Sequence, residues 1–75
     1  MCGIVGCVGK ENVSKTLLNG IRKLEYRGYD SCGIAISNEN NVMLKKDVGD
    51  ISKVNKKLNF LDMNGKIGMA HSRWA

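Results

Sequence analysis

The sequence predicts an α+β domain in which two helices cover a sheet, in the order β-α-β-β-α-β. Three observations carry that expectation. Short runs of small and β-branched residues, GIVGCV at 3–8 and GIAIS at 33–37, are closed by glycine or by polar turn residues. Two longer stretches repeat their apolar residues at helical spacing. The 75 residues are 43% hydrophobic and 25% charged, with no proline, which is the composition of one ordinary globular domain.

Each element has its own local reason. Residues 3–8 read as a strand buried on both faces, closed by Gly9. Asn12 can cap a helix in which Val13, Leu17, Ile21 and Leu24 recur at helical spacing, with Leu18 widening the stripe. Gly20 weakens that helix without breaking it, and Gly28, after Tyr26 and Arg27, supplies its stop. Residues 33–37 form a second strand buried on both faces. Asn38–Asn41 is a polar turn and Val42–Lys46 a third strand, a hairpin with a loop of about four residues. Asp50 caps a second helix with Ile51, Val54, Leu58 and Leu61 on one side and Lys53, Lys56 and Lys57 away from it. Asn64-Gly65 turns the chain into a last strand, 66–71, where His71 alternates with Ile67 and Met69 and so faces the sheet interior. A ferredoxin-like split β-α-β domain has the same element order, and periodicity alone does not separate the two.

Several function classes are excluded or disfavoured on simple grounds. The net charge of +5 is spread over isolated lysines, with no basic block and little aromatic interleaving, so no nucleic-acid partner is expected. No apolar run is long enough for a membrane span, and the start lacks a signal peptide, so no membrane partner and a cytoplasmic location are expected. Three cysteines do not make a disulfide framework. Cys2 and Cys7 lack zinc-knuckle spacing and, on one strand, would point to opposite faces, so no metal is expected. Gly6, Gly9 and Lys10 fail the phosphate-loop spacing, and no dinucleotide-binding glycine pattern is present.

The informative residue is Cys2. Removal of Met1, expected before a residue as small as cysteine, would leave a thiol nucleophile and its own α-amine on one residue. That amine, with a reference pKa of about 7.7–8.0, can take and return the proton that a separate histidine handles elsewhere. The bland alternative is an ordinary buried thiol.

Three segments decide between these readings: Met1-Cys2-Gly3-Ile4-Val5-Gly6, the run Leu24-Glu25-Tyr26-Arg27-Gly28-Tyr29-Asp30-Ser31-Cys32-Gly33-Ile34-Ala35, and His71-Ser72-Arg73-Trp74-Ala75. Together, in register along the whole chain, they resemble the opening of the glutaminase domain of the glutamine–fructose-6-phosphate aminotransferase family. This is a branch of the class II glutamine amidotransferases. The first segment is shared across the class, whereas Tyr-Arg-Gly-Tyr-Asp-Ser is the discriminating one.

The resemblance implies an N-terminal-nucleophile hydrolase fold, a four-layer αββα sandwich of which this chain carries the first β-α-β-β-α-β portion. It implies Cys2 as the catalytic nucleophile on the carboxamide of glutamine, Arg73 as the clamp for the α-carboxylate, and Trp74 as part of a closing loop. Arg27 and Gly28 would support the nucleophile. Glutamine and fructose 6-phosphate are the implied substrates, the latter through sugar isomerase lobes not in this sequence. No cofactor is needed, and the parent enzyme would be a homodimer. The family's next residues, Thr-His-Gly, its oxyanion-hole Asn-Gly pair and its aspartate for the α-amine are not in this sequence. The chain is therefore expected to be a fragment of a larger enzyme with little activity alone.

Without the motif, Arg73 and Trp74 would read as a surface charge and a loose aromatic, and Arg27 and Asp30 as a pair across a turn. Cys32 stands where the family has a small residue and reads as an apolar filler. Two alternatives stay open: a class II enzyme with another acceptor, such as an amidophosphoribosyltransferase, and a non-catalytic remnant that retains its thiols. Tyr26 and Tyr29 weigh against the first.

Overall fold

A computed structural model describes residues 3–24, 30–39 and 41–73. Strand β1 (Gly3–Val8) leads to helix α1 (Ser14–Leu24). The hairpin β2 (Ser31–Asn38) and β3 (Asn41–Val48) follows, then helix α2 (Ile51–Leu58) and strand β4 (Ile67–Arg73). The strands form one antiparallel sheet in the order β1-β4-β2-β3. This order resolves the topology that periodicity left open: here β4 and β2 are central and β1 and β3 are edges. The ferredoxin-like arrangement instead centres its first and third strands.

Both helices lie on one face of the sheet. Leu17, Leu18 and Ile21 of α1 and Ile51 and Val54 of α2 meet Ile34, Ile36 and Ala70 in a single core. Asn12 begins α1 by accepting a hydrogen bond from the Ser14 backbone N–H at 3.2 Å, and its amide donates to Asn64 Oδ1 at 2.9 Å. The Val13 N–H donates to the Gly65 carbonyl, so the loop before β4 is fastened to the start of α1. Gly49, at φ 127°, makes the turn from β3 into α2 that an L side chain would resist. Asp50 Oδ1 then accepts from the Lys53 N–H at 2.9 Å, the N-cap read from the sequence.

Helix α2 stops earlier than its apolar spacing suggests. Asn59 adopts the left-handed conformation, and Lys45 Nζ donates to the carbonyls of Leu58 at 2.9 Å and Asn59 at 3.0 Å. An amine that satisfies the terminal carbonyls makes a further turn unnecessary. Leu61 is therefore off the helix and 48% exposed, and Phe60 and Met63 fill the core instead. Leu24, the last of the α1 stripe, is half-exposed at the helix end, beside Gly3.

The hairpin is tighter than predicted. Pairing runs to Asn38 opposite Asn41, which leaves a two-residue connection, and Asn38 Oδ1 accepts from the Glu39 N–H at 2.7 Å. All three later strands are also longer than their apolar runs, because cross-strand pairing carries polar residues at their ends. Strand β1 has the predicted limits but not the predicted burial. Ile4 and Val8 are 69% and 78% exposed on the helix-free face, while Val5 and Cys7 pack toward the helices. In β2, Cys32, Gly33, Ile34 and Ile36 are buried. His71 does alternate with Ile67 and Met69, but those three share the helix-free face, and Gly68, Ala70 and Ser72 point inward. No helix among the described residues is long and apolar enough to cross a membrane.

Candidate functional site

Strand register brings two of the three sequence segments together. Gly3, the residue after Cys2, pairs with Ser72, the residue before Arg73. Arg73 itself pairs with Ser31 of β2, the residue that closes the Tyr-Arg-Gly-Tyr-Asp-Ser run. The backbone of Arg73 is fixed further by the Asp30 N–H, which donates to the Arg73 carbonyl at 2.9 Å. The Asp30 carbonyl in turn accepts from the Gly49 N–H at 2.7 Å. The guanidinium is exposed, so it starts from an ordered backbone and reaches into solvent.

A hollow of about 320 Å³ opens at this end of the sheet, lined by residues that include Ser31, Lys46, His71 and Arg73. Lys46 and His71 occupy opposite sides of Gly33, whose two register partners they are. A Cβ on Gly33 would lie 2.6 Å from Lys46 Cβ and 2.9 Å from His71 Nε2. The imidazole and the lysine stem thus close over a position where any side chain would have to displace them. Asp47, also on the wall, is engaged elsewhere: its Oδ2 accepts from Lys57 Nζ at 2.7 Å, and its Oδ1 from the Val48 N–H. The Lys57 hydrogen bond, aided by the Val48 N–H and the lysine charge, holds the Asp47 carboxyl below the usual aspartate range. With that carboxylate's charge countered by Lys57, Lys46 and Arg73 leave a cationic rim, a setting in which the planar guanidinium of Arg73 can grip a carboxylate.

Of the five residues singled out from the sequence, Arg73 lines this hollow. Cys2, Arg27, Gly28 and Trp74 lie outside the described residues. Sequence reasoning missed Ser31, Lys46 and His71 as wall residues. Their proximity comes from cross-strand register, which no local pattern encodes; the i, i+2 spacing of His71 and Arg73 was the one available signal. A larger hollow of about 490 Å³ sits at the opposite end of the sheet among Asn12, Asn38, Asn64 and Lys66, with neither a thiol nor an arginine in its wall. Among the described residues, no three His, Cys, Asp or Glu side chains are grouped to hold a metal ion.

Comparison with known proteins extends the picture. The chain is 57% identical over all 75 residues to glutamine–fructose-6-phosphate aminotransferase [isomerizing] of Methanococcus maripaludis. It is 54% identical over 71 residues to the protein of that name from Methanocaldococcus jannaschii, and 48% identical over 75 residues to that of Staphylococcus aureus. It spans 12%, 6% and 12% of their respective lengths, matching their N-terminal part. No protein-family model matches the chain. Among solved structures, glutamine phosphoribosylpyrophosphate amidotransferase from B. subtilis, complexed with ADP and GMP, superposes with a TM-score of 0.89. It covers the whole chain with 16% of its own length, at 24% identity. A second structure, described as the allosteric regulatory enzyme of purine biosynthesis, gives 0.87 at the same identity. At that identity the likeness establishes the fold alone.

Proposed function

We propose that this chain, homologous over its whole length to the N-terminal segment of glutamine–fructose-6-phosphate aminotransferases, supplies the nucleophile-bearing part of a class II glutamine amidotransferase domain. The observation that carries the reading is the pairing of Gly3 with Ser72. It ties the strand that starts after Cys2 to the strand that ends in Arg73. A nucleophile and a carboxylate clamp on adjacent, hydrogen-bonded strands would hold one amino acid between them with little orientational freedom left to lose.

In this reading the Cys2 thiolate attacks the side-chain carbonyl carbon of glutamine, and a carbon–sulfur bond forms as the carbon–nitrogen bond breaks. The α-ammonium of Cys2 gives its proton to the departing ammonia. Water then attacks the thioester, glutamate leaves, and the thiol is restored. Arg73 binds the α-carboxylate of the substrate, and Trp74 contributes to a loop that excludes water while the thioester exists. Arg27 and Gly28 support the nucleophile. In a longer protein the ammonia would pass to fructose 6-phosphate, giving glucosamine 6-phosphate. The names of the relatives at 48–57% identity favour that acceptor, whereas the amidotransferase of B. subtilis speaks to fold alone.

A chimera tests this directly. The 75 residues replace the corresponding segment of the Methanococcus maripaludis protein, and ammonia release from glutamine is measured. The chimera is expected to release ammonia, Cys2→Ala to abolish release by about 10³-fold or more, and Arg73→Lys to raise KM for glutamine. A folded chimera that is inactive, or one that keeps its rate without the Cys2 sulfur, would overturn the proposal.

A further inference from the structure

The helix-free face of the sheet gathers its charge at one end. Across the register, the row of Val8, Ile67, Ser37 and Val42 and the row of Gly6, Met69, Ala35 and Leu44 carry none. The next row holds Ile4, His71, Gly33 and Lys46, and the last holds Arg73, Ser31 and Val48. Every ionisable side chain in these rows is basic. Asp47 belongs to the opposite face, where it meets Lys57 of α2, and Asp30 precedes β2. We propose that His71 is a positioning residue for the substrate carboxylate: its protonated ring strengthens the hold of Arg73 on the α-carboxylate of glutamine and makes that hold depend on pH. The inference rests on the amidotransferase reading and deepens it.

Position gives His71 this role. Strand β4 is central, bonded to β1 on one side and β2 on the other, so the His71 backbone is fixed. The ring leans toward β2: Nε2 lies 2.9 Å from where a Cβ on Gly33 would be, and the side chain missing there makes room for it. Residues two apart on a strand share a face and stand about 7 Å apart. His71 and Arg73 therefore stand side by side in the wall of the hollow that both line. His71 is half-buried, and its ring has no hydrogen-bond or ion-pair partner among the described residues. The charged groups that face it are Arg73 on its own strand and Lys46 on β3, while β1 presents Ile4 and β2 presents Gly33.

Protonation of His71 thus adds a third positive charge to a corner with no acid to counter it. A carboxylate gripped by Arg73 supplies the missing negative charge, so proton and substrate each favour the binding of the other. Attraction between unit charges about 7 Å apart changes affinity by about three- to fiftyfold, from a water-like to a protein-like effective dielectric.

The test is KM and kcat for glutamine hydrolysis by the chimera between pH 5.5 and 8.5, the range in which histidine changes charge. In the unmodified chimera KM is expected to be at least about threefold lower at pH 5.5 than at pH 8.5. His71→Gln should hold KM at its high-pH value throughout, and the effect should fall on KM rather than on kcat. His71→Lys, which keeps the charge at every pH, should hold KM low across the range, an outcome that a merely structural role would not give. A working chimera whose KM does not vary with pH, or a His71→Gln variant that keeps the variation, overturns the inference and leaves the amidotransferase reading intact. A folded chimera that releases no ammonia overturns both. Where neither variant folds, the histidine ring resonances of the Cys2→Ala chimera decide. Saturating glutamine should make the His71 ring lose its proton at a pH higher by about half a pH unit or more, and an unmoved titration overturns the inference.

Discussion

Ser72→Ala should make the protein more stable, against the usual direction of substitution in a core. Ser72 is 1% exposed, and among the described residues its hydroxyl oxygen has no hydrogen-bond partner. It faces the α1 side of the sheet, 3.1 Å from where a side chain on Gly3 would begin, with Leu24 at the same spot. A buried hydroxyl without a partner costs about 1–3 kcal/mol of desolvation. Removing one oxygen opens a void of roughly 15 Å³, which at about 24 cal/mol per Å³ costs about 0.4 kcal/mol. The net gain is then about 0.6–2.6 kcal/mol. For a domain of this size each kcal/mol moves Tm by roughly 4–8 °C. Urea and thermal unfolding of both proteins at the same low concentration would measure it. A loss of 1 kcal/mol or more in Ser72→Ala would show that the hydroxyl is bonded and that the seam between β1, β4 and α1 is not dry, which refutes the reasoning.

Three further outcomes follow from particular contacts. Gly33→Ala should destabilise the chain by about 1–3 kcal/mol, because the added methyl displaces Lys46 and His71 from the β2 backbone; a shift in the urea midpoint reads it, and His71 ring resonances should move with it. Lys45→Met should cost about 1–2 kcal/mol by leaving the end carbonyls of α2 without their amine, and hydrogen exchange should quicken at Asn59 and Phe60 before it does at Ile34. Asp47 is an acid whose folded pKa is depressed, so its stabilisation is complete above the ordinary aspartate value of about 3.9 and is lost as pH falls through the lowered one. The stability gap between wild type and Asp47→Asn should therefore shrink in strong acid, and a gap that stayed constant with pH would contradict the pairing with Lys57.

Local chemistry made much of the fold legible. The limits of β1, the Asp50 cap, and the inward positions Leu17, Ile21, Ile51 and Val54 follow from spacing and capping, which act within one turn of chain. What stayed hidden was set by distant partners. The early stop of α2 depends on Lys45, thirteen residues before Leu58 in sequence. The exposure of Ile4 and Val8 depends on which face the helices cover, and an apolar strand does not announce whether one or both of its faces will be covered. Of the residues the sequence motifs singled out, Arg73 alone falls among the described ones, and the residues around it were not legible locally. Lys46 and His71 flank Gly33 only because β2 lies between β3 and β4.

The thiol at position 2 is most directly tested by acid-quenching the chimera during turnover with glutamine and mapping its N-terminal peptide by mass spectrometry. The account predicts a peptide that begins at Cys2, carries one glutamyl group on its sulfur, and loses it to hydroxylamine. An active chimera that retains Met1, or that carries the glutamyl group on any other residue, would contradict it.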